Sequence, residues 1–298
     1  MTPELSNFET ARDLVRYAAS EFNRNAMHFG HGSDNALDEA LALVIHVLNL
    51  DFSLPDNYLD CRLTETEKQQ IGNLIKQRIE TKKPLAYLTG NAFFAGLEFK
   101  VSEDVLVPRS PIAELIEQEF FPWAETDNLH NILDLCTGSG CIGIASAAYL
   151  PNTSVVLSDI SEKALTIAKQ NIERHDLHAR IKTVNSDVFD RIPRQKFDLI
   201  VSNPPYVSEA EYRSLPAEYL NEPQIGLEAG INGMDIVDRI LRESSEWLSD
   251  QGILIVEVGA SAELLMQQYP ETSFNWIEFD RGGDGVFMLT RDELEQFR

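Results

Sequence analysis

From residue 107 to the end of the chain, short apolar runs alternate with segments patterned as helices. The runs are "NILDL" (131–135), "SVVLS" (154–158), "IKTVN" (181–185), "FDLIVS" (197–202), "GILIVEV" (252–258), "FNWIEF" (274–279) and "GVFMLT" (285–290). Between them, "SEKALTIAKQNIERH" and "MDIVDRILRESSEWLSD" read as helices. Strands that are apolar at nearly every position are buried on both faces, and strands separated by helices run parallel. The region is therefore expected to be a mostly parallel α/β sheet covered by helices on both sides. Only "DRGGDG" joins the last two runs, too little for a helical crossover, so they form an antiparallel hairpin at the end of the sheet.

The preceding residues read differently. Residues 1–83 are helical in pattern. In "SNFETARDLVRYAASEFNRN" the residues Phe8, Ala11, Val15, Ala18, Ala19 and Phe22 recur near a period of 3.6. Ser6 or Asn7 is a candidate cap there, with Glu9 or Thr10 in the first turn. A second helix follows Asn35, and Thr64 with Glu67 has the offset of a capping box opening a third, with Ile71, Leu74, Ile75 and Ile79 on one face. Residues 84–106, "PLAYLTGNAFFAGLEFKVSEDVL", carry aromatic and β-branched runs broken by Gly90 and Gly96, the pattern of a β-hairpin or short strands. The expected organisation is a helical domain at 1–83, a hairpin linker at 84–106 and an α/β domain at 107–298. A length of 298 residues accommodates about two domains.

Chemistry concentrates at two loops. The first, "ILDLCTGSGCIG", is a strand, a glycine-rich turn and a helix start, with Gly138, Gly140 and Gly143 spaced G-x-G-x-x-G. Glycines let the backbone turn sharply and approach a ligand closely. Asp159, at the end of the second strand of the α/β region, is placed to accept both hydroxyls of a ribose. Asp134, ahead of the glycines, suits a cationic ligand with an amino-acid end, such as S-adenosylmethionine, better than a nicotinamide dinucleotide.

The second loop is "VSNPPYV", directly after "FDLI". Two prolines can neither continue a helix nor donate to a sheet ladder, so a strand ends here in a stiff loop. It follows the fourth strand, at the carboxyl edge where open α/β sheets bind ligands. A planar NH2 group, as in a carboxamide or adenine, is a poor nucleophile because its lone pair is delocalised. The Asn203 side-chain oxygen and the Pro204 carbonyl can each accept one of its N–H bonds, orienting the nitrogen and favouring charge that develops on it. Tyr206 is placed to stack on the planar group.

Charge and composition narrow the choice. The chain holds 48 acidic against 25 basic residues, a formal net charge of −23. That balance lacks the basic footprint of nucleic-acid binding and favours a basic partner. Three cysteines, Cys61, Cys136 and Cys141, without metal spacing read as reduced thiols, and His28 and His31 lack further ligands at zinc spacing. No signal peptide or membrane span is legible, so a soluble cytoplasmic protein is expected.

The segments "ILDLCTGSG", "SDVF" and "SNPPY", with Asp159, resemble class I S-adenosylmethionine-dependent methyltransferases of the amino type. With "PLAYLTG" and "FFAGLEF" added, the whole chain resembles the HemK-type protein glutamine N-methyltransferases. "LCTGSGCI" and "VPRSPIAELI" are most similar to the branch that methylates a large-subunit ribosomal protein; the release-factor branch is the alternative. The resemblance implies a Rossmann-like seven-stranded catalytic domain behind a helical substrate-recognition domain. It implies that Cys136, Thr137, Gly138, Ser139 and Gly140 wrap the methionine part of the cofactor, with Asp187 and Val188 at the adenine. It further implies that Asn203 and Pro204 grip the glutamine amide, that Pro205 and Tyr206 line the slot, that Arg109 approaches the site, and that "EPQIGLEAGINGMD" shapes the substrate channel. Competing readings are methylation of the adenine amine in nucleic acid, a cofactor-binding regulator and a dehydrogenase.

Overall fold

The computed structural model describes residues 7–51 and 53–298, which form two compact units. One consists of Met1–Asn91 together with Pro216–Asn221; the other holds Ala92–Leu215 and Glu222–Arg298.

The first unit is built on three helices, α1 (Ala11–Arg24), α2 (Ala36–Leu48) and α3 (Glu65–Thr81), followed by the single turn α4 (Leu85–Thr89). Helix α1 begins later than its pattern predicts. Its cap is Thr10, whose side chain accepts from Asp13 N–H while the Asp13 carboxylate accepts the Thr10 N–H, so Asn7 is not used. Ser6 lies outside the described residues. Asn35 caps α2, and the Thr64–Glu67 box opens α3, as their spacing predicts. Leu14, Phe22, Leu43, Val44, Ile71 and Ile75 form the shared core. Arg78 is buried within it. Its Nε donates to Glu39 at 2.7 Å, its Nη2 to the His28 carbonyl at 2.9 Å, and its Nη1 lies 3.6 Å from Glu218 of the returning segment. His31 packs against Tyr219 of that segment, ring centroids 4.4 Å apart, so the two histidines of "HFGHG" belong to a packing contact.

In the second unit β1 (Asn91–Phe94) and β2 (Leu97–Lys100) form a hairpin, whereas the "PLAYLT" part of the expected β segment is the helical turn α4. Proline opens that turn and Gly90 closes it in the left-handed conformation. After α5 (Ile112–Glu117) come β3 (Asn131–Leu135), α6 (Cys141–Tyr149), β4 (Ser154–Asp159), α7 (Glu162–Arg174), β5 (Ile181–Asn185), β6 (Phe197–Ser202), α8 (Glu209–Tyr212), α9 (Asp235–Glu243), β7 (Leu248–Glu257), β8 (Asn275–Trp276) and β9 (Val286–Thr290). The seven strands are ordered β5-β4-β3-β6-β7-β9-β8. The first five are parallel; β9 pairs antiparallel with both β7 and β8, as the short "DRGGDG" connection between β8 and β9 requires. Alternate residues serve opposite faces: Ile132, Leu157 and Leu199 join one core cluster, Leu133, Val156 and Ile200 the other. The helix expected over 234–250 stops at Glu243 because β7 begins at Leu248, four residues sooner than the apolar run.

Strand register sets where the chemistry sits. Leu135 pairs with both Ser158 and Ser202, Asp159 with Asn185, and Ser202 with Val256. The residues leaving β3, β4, β5, β6 and β7 therefore emerge at one edge: Cys136, Ile160, Ser186, Asn203 and Val258. The topological switch point, where β3 meets β4 on one side and β6 on the other, lies in the middle of that edge.

Candidate active site

A cavity of about 330 Å³ opens along this edge, within the range of small-molecule sites. Cys136, Thr137, Gly138, Ser139, Asp159, Asp187, Val188, Asn203 and Pro205 line it, joined by Arg109, Ser110 and Glu228. The sequence-predicted residues from four separate strand ends thus meet at one place.

The glycine loop is held open by backbone conformation. Cys136, Gly138 and Gly140 all have positive φ, 58°, 55° and 84°. A side chain on Gly138 would meet nothing within 4 Å, so this position leaves room at the cavity wall; Gly140 instead faces inward, where a Cβ would strike Ile144 at 2.8 Å. Asp159 organises the loop: its Oδ2 accepts the Gly138 N–H at 2.9 Å and its Oδ1 the Ser161 N–H at 2.8 Å. Burial raises its pKa against those bonds. Asn171 of α7 ties the loop to the hairpin, donating to the Ser139 carbonyl at 2.8 Å and pairing with the Lys100 backbone.

Asp134 does not line the cavity. It is fully buried beneath the loop, where its Oδ2 accepts Thr137 Oγ1–H at 2.5 Å and Gly143 N–H at 2.9 Å. Desolvation outweighs these bonds and lifts its pKa to about 7. Its Oδ1 has no partner among the described residues. Burial also drives the Cys136 thiol far up and the Cys141 thiol to about 12, so both stay protonated and act as small apolar fillers. All three cysteines are free. Asp187 receives Arg239 Nη1–H at 2.6 Å, and Val188 is buried with φ 46°.

The catalytic loop is braced from below. The Tyr206 hydroxyl donates to Glu257 Oε1 at 3.3 Å and its carbonyl accepts from Ser261 Oγ at 3.0 Å. The tyrosine ring packs over Gly259, where an added Cβ would lie 3.0 Å from it. The chain beyond it runs beside the "GLEAG" segment, with Val207 N–H on the Leu227 carbonyl and Ala229 N–H on the Val207 carbonyl.

Two residues that the sequence reading did not single out complete the site. Glu257, at the end of β7, is buried; it receives the Ser110 hydroxyl and the Tyr206 hydroxyl. Burial lifts its pKa, while those donors and the Arg109 charge pull it down. Glu222 is buried and receives Arg109 in a bidentate pair, Nη1–Oε1 2.7 Å and Nη2–Oε2 2.8 Å, as well as the Val107 N–H at 3.0 Å. A carboxylate closing the apolar run "GILIVEV" at the carboxyl edge is the same signal that marked Asp159.

This strand order, with a glycine loop after the first strand of the sheet, a carboxylate after the second and an Asn-Pro-Pro-Tyr loop after the fourth, defines a class I methyltransferase using S-adenosylmethionine. The family model described as "Methyltransferase small domain" matches residues 120–222. A ribosomal protein uL3 glutamine methyltransferase of Francisella tularensis subsp. tularensis is 45% identical over 99% of this chain and 94% of its own length. A protein of the same description from Xylella fastidiosa is 47% identical over the same shares. Among solved structures, a methyltransferase from Pyrococcus furiosus superposes with a TM-score of 0.47 at 20% identity, over 66% of this chain and 89% of that one. The chain belongs to the family of ribosomal protein uL3 glutamine methyltransferases.

Proposed function

We propose that the protein transfers a methyl group from S-adenosylmethionine to the side-chain amide nitrogen of a glutamine in ribosomal protein uL3. The observation that carries this reading is that the Asn203 loop and the glycine loop border one cavity. The residues present fit the cofactor. The Gly138 wall is open, Cys136, Gly138 and Gly140 hold positive φ, and Asp134 leaves one buried oxygen without a partner among the described residues.

In this reading Thr137, Gly138 and Ser139 hold the methionine part, Asp159 the ribose, and Asp187 with Val188 the adenine. Asp134 acts on the cofactor side through the loop that it ties down, not as a wall of the site. Bound S-adenosylmethionine supplies a methyl already activated by its sulfonium. Asn203 Oδ1 and the Pro204 carbonyl accept the two N–H bonds of the substrate amide, fix the nitrogen in line with that methyl and stabilise positive charge as it develops. The amide nitrogen gains the methyl and gives up one proton to water. Pro204 and Pro205 keep the two acceptors from relaxing apart. The acidic surface favours a basic protein substrate over nucleic acid, and a ribosomal protein substrate places the work in the cytoplasm. The helical unit, with its own core, is the natural candidate for recognising that protein.

The test uses labelled S-adenosylmethionine with unmethylated uL3, release factors and DNA offered separately. Label on one uL3 glutamine is expected. Label on a release factor or on DNA overturns the substrate assignment.

A further inference from the structure

The loop after β5 brings Asp187 to the cavity wall. The side chain is half-exposed there, and a half-exposed carboxylate on a loop keeps one rotamer only if something holds it. Its neighbour Val188 has φ 46°, a conformation that a β-branched residue adopts only where its surroundings impose it. Part of the hold is local: the Ser186 hydroxyl donates to the Val188 carbonyl at 3.0 Å and accepts the Arg191 N–H at 2.9 Å. The rest comes from helix α9. Arg239 Nη1 donates to Asp187 Oδ1 at 2.6 Å, and its Nη2 lies 3.4 Å from both the Asp187 carbonyl and Asp190 Oδ1. Glu243, one turn further along α9, steadies the guanidinium, with its Oε1 3.5 Å from Nε.

One arginine thus serves both carboxylates and the backbone of a single short loop. Ion pairs as exposed as these add little to folding, so the worth of the contact lies in placement. Asp187 Oδ2 meets no donor among the described residues. We infer that Arg239 is a positioning residue for the cofactor: by occupying one oxygen of Asp187 it leaves the other to accept an N–H of the adenine amine. A carboxylate only accepts, so one fixed at this point favours an amine on the base and opposes a carbonyl oxygen in its place. Without the guanidinium, Asp187, Asp190 and Glu243 would face one another with no cation between them, and Asp187 would swing into water. Arg239 therefore links the base-recognition loop to α9, whose first residues, Asp235 and Ile236, border the same cavity. The inference rests on the reading that puts the adenine at Asp187 and Val188.

The experiment measures, by calorimetry on the full chain, the binding of S-adenosylhomocysteine and of S-inosylhomocysteine, in which a carbonyl oxygen replaces the adenine amine. The parent is expected to bind the amine-bearing ligand about 10- to 100-fold more tightly. Arg239→Met is expected to cut that preference at least about fivefold, chiefly by weakening S-adenosylhomocysteine, at an unchanged melting temperature. In an Asp187→Ala background the same change should alter the preference less than about twofold, because the group through which it acts is gone. A contact that merely staples α9 in place would weaken both ligands alike. Equal losses, or a preference that survives Arg239→Met, overturn the inference. Should Arg239→Met not melt like the parent, Arg239→Lys takes its place. It keeps the charge but gives up the planar fork, and a preference between those of the parent and Asp187→Ala is expected. If the parent itself binds the two ligands equally, it is the placement of adenine at Asp187 that fails, a result distinct from a parental preference that the substitution leaves intact.

Discussion

In the proposed mechanism Asn203 acts through one side-chain oxygen, and its truncation should show a single signature. Asn203→Ala is expected to lower kcat by about 10²- to 10³-fold, the loss typical of one preorganised donor or acceptor. Equilibrium binding of S-adenosylmethionine should be unaffected; a matching loss of cofactor affinity would contradict the amide grip. Asp134 makes the opposite kind of prediction. Its folded pKa of about 7 lies well above the ordinary aspartate value of 3.8. The folded protein therefore holds this proton more tightly than the unfolded chain, so the carboxyl's contribution to stability is full below the unfolded value. It is lost as pH rises from about 4 through 7, by up to about 4 kcal/mol. Removing the titration by Asp134→Asn should flatten that slope. Melting of the cofactor-free protein at pH 5 and pH 7.5 checks it: the parent should lose ground to the variant at the higher pH. The residues of the two loops were legible in the sequence because glycine spacing and Pro-Pro carry their own backbone constraints. Glu257 and Glu222 were not singled out: Glu257 closes an apolar run as Asp159 does, but its donor Ser110 and the Arg109 partner of Glu222 come from more than 100 residues away.

At the scale of elements, the catalytic loop depends on the "GINGMD" segment laid beside it. Gly233 has φ 74°, and a Cβ there would fall 2.3 Å from the Tyr206 carbonyl oxygen. Backbone cannot yield as a side chain does, so Gly233→Ala should displace the loop as well as strain its own turn. Expected outcomes are a lower kcat and roughly 1–3 kcal/mol less stability, read from denaturant titration. A variant with normal turnover would show that the segment is not a brace. Strand and helix positions in the sheet region were largely readable, since continuous apolar runs are what a two-faced parallel sheet demands. The errors fell where local chemistry competes. Thr10 captures the start of α1 through Asp13, and Pro84 with Gly90 winds "LAYLT" into a turn despite its strand-like residues.

The whole molecule hides a charge cluster that no periodicity reveals. Arg78 is completely buried between Glu39 and Glu218, residues nearly 180 positions apart. Burial outweighs the arginine's attraction and leaves the Glu39 carboxyl above its ordinary value. Arg78→Met would strand both carboxylates and is expected to cost about 3–5 kcal/mol, measured by chemical denaturation. A loss below 1 kcal/mol would mean that water reaches the cluster. Arginine and glutamate are ordinarily surface residues, so sequence alone gave no reason to look for them inside.

The return of Pro216–Asn221 into the helical unit has a consequence for inheritance. A unit completed by six residues encoded far downstream cannot be transplanted by one recombination event within the gene. A chimaera joined near residue 91 would bring an arginine evolved for one acidic partner to another lineage's substitute, and would be tolerated only where both halves had kept the same charges. The front and back of this chain are therefore expected to have travelled together as one inseparable block.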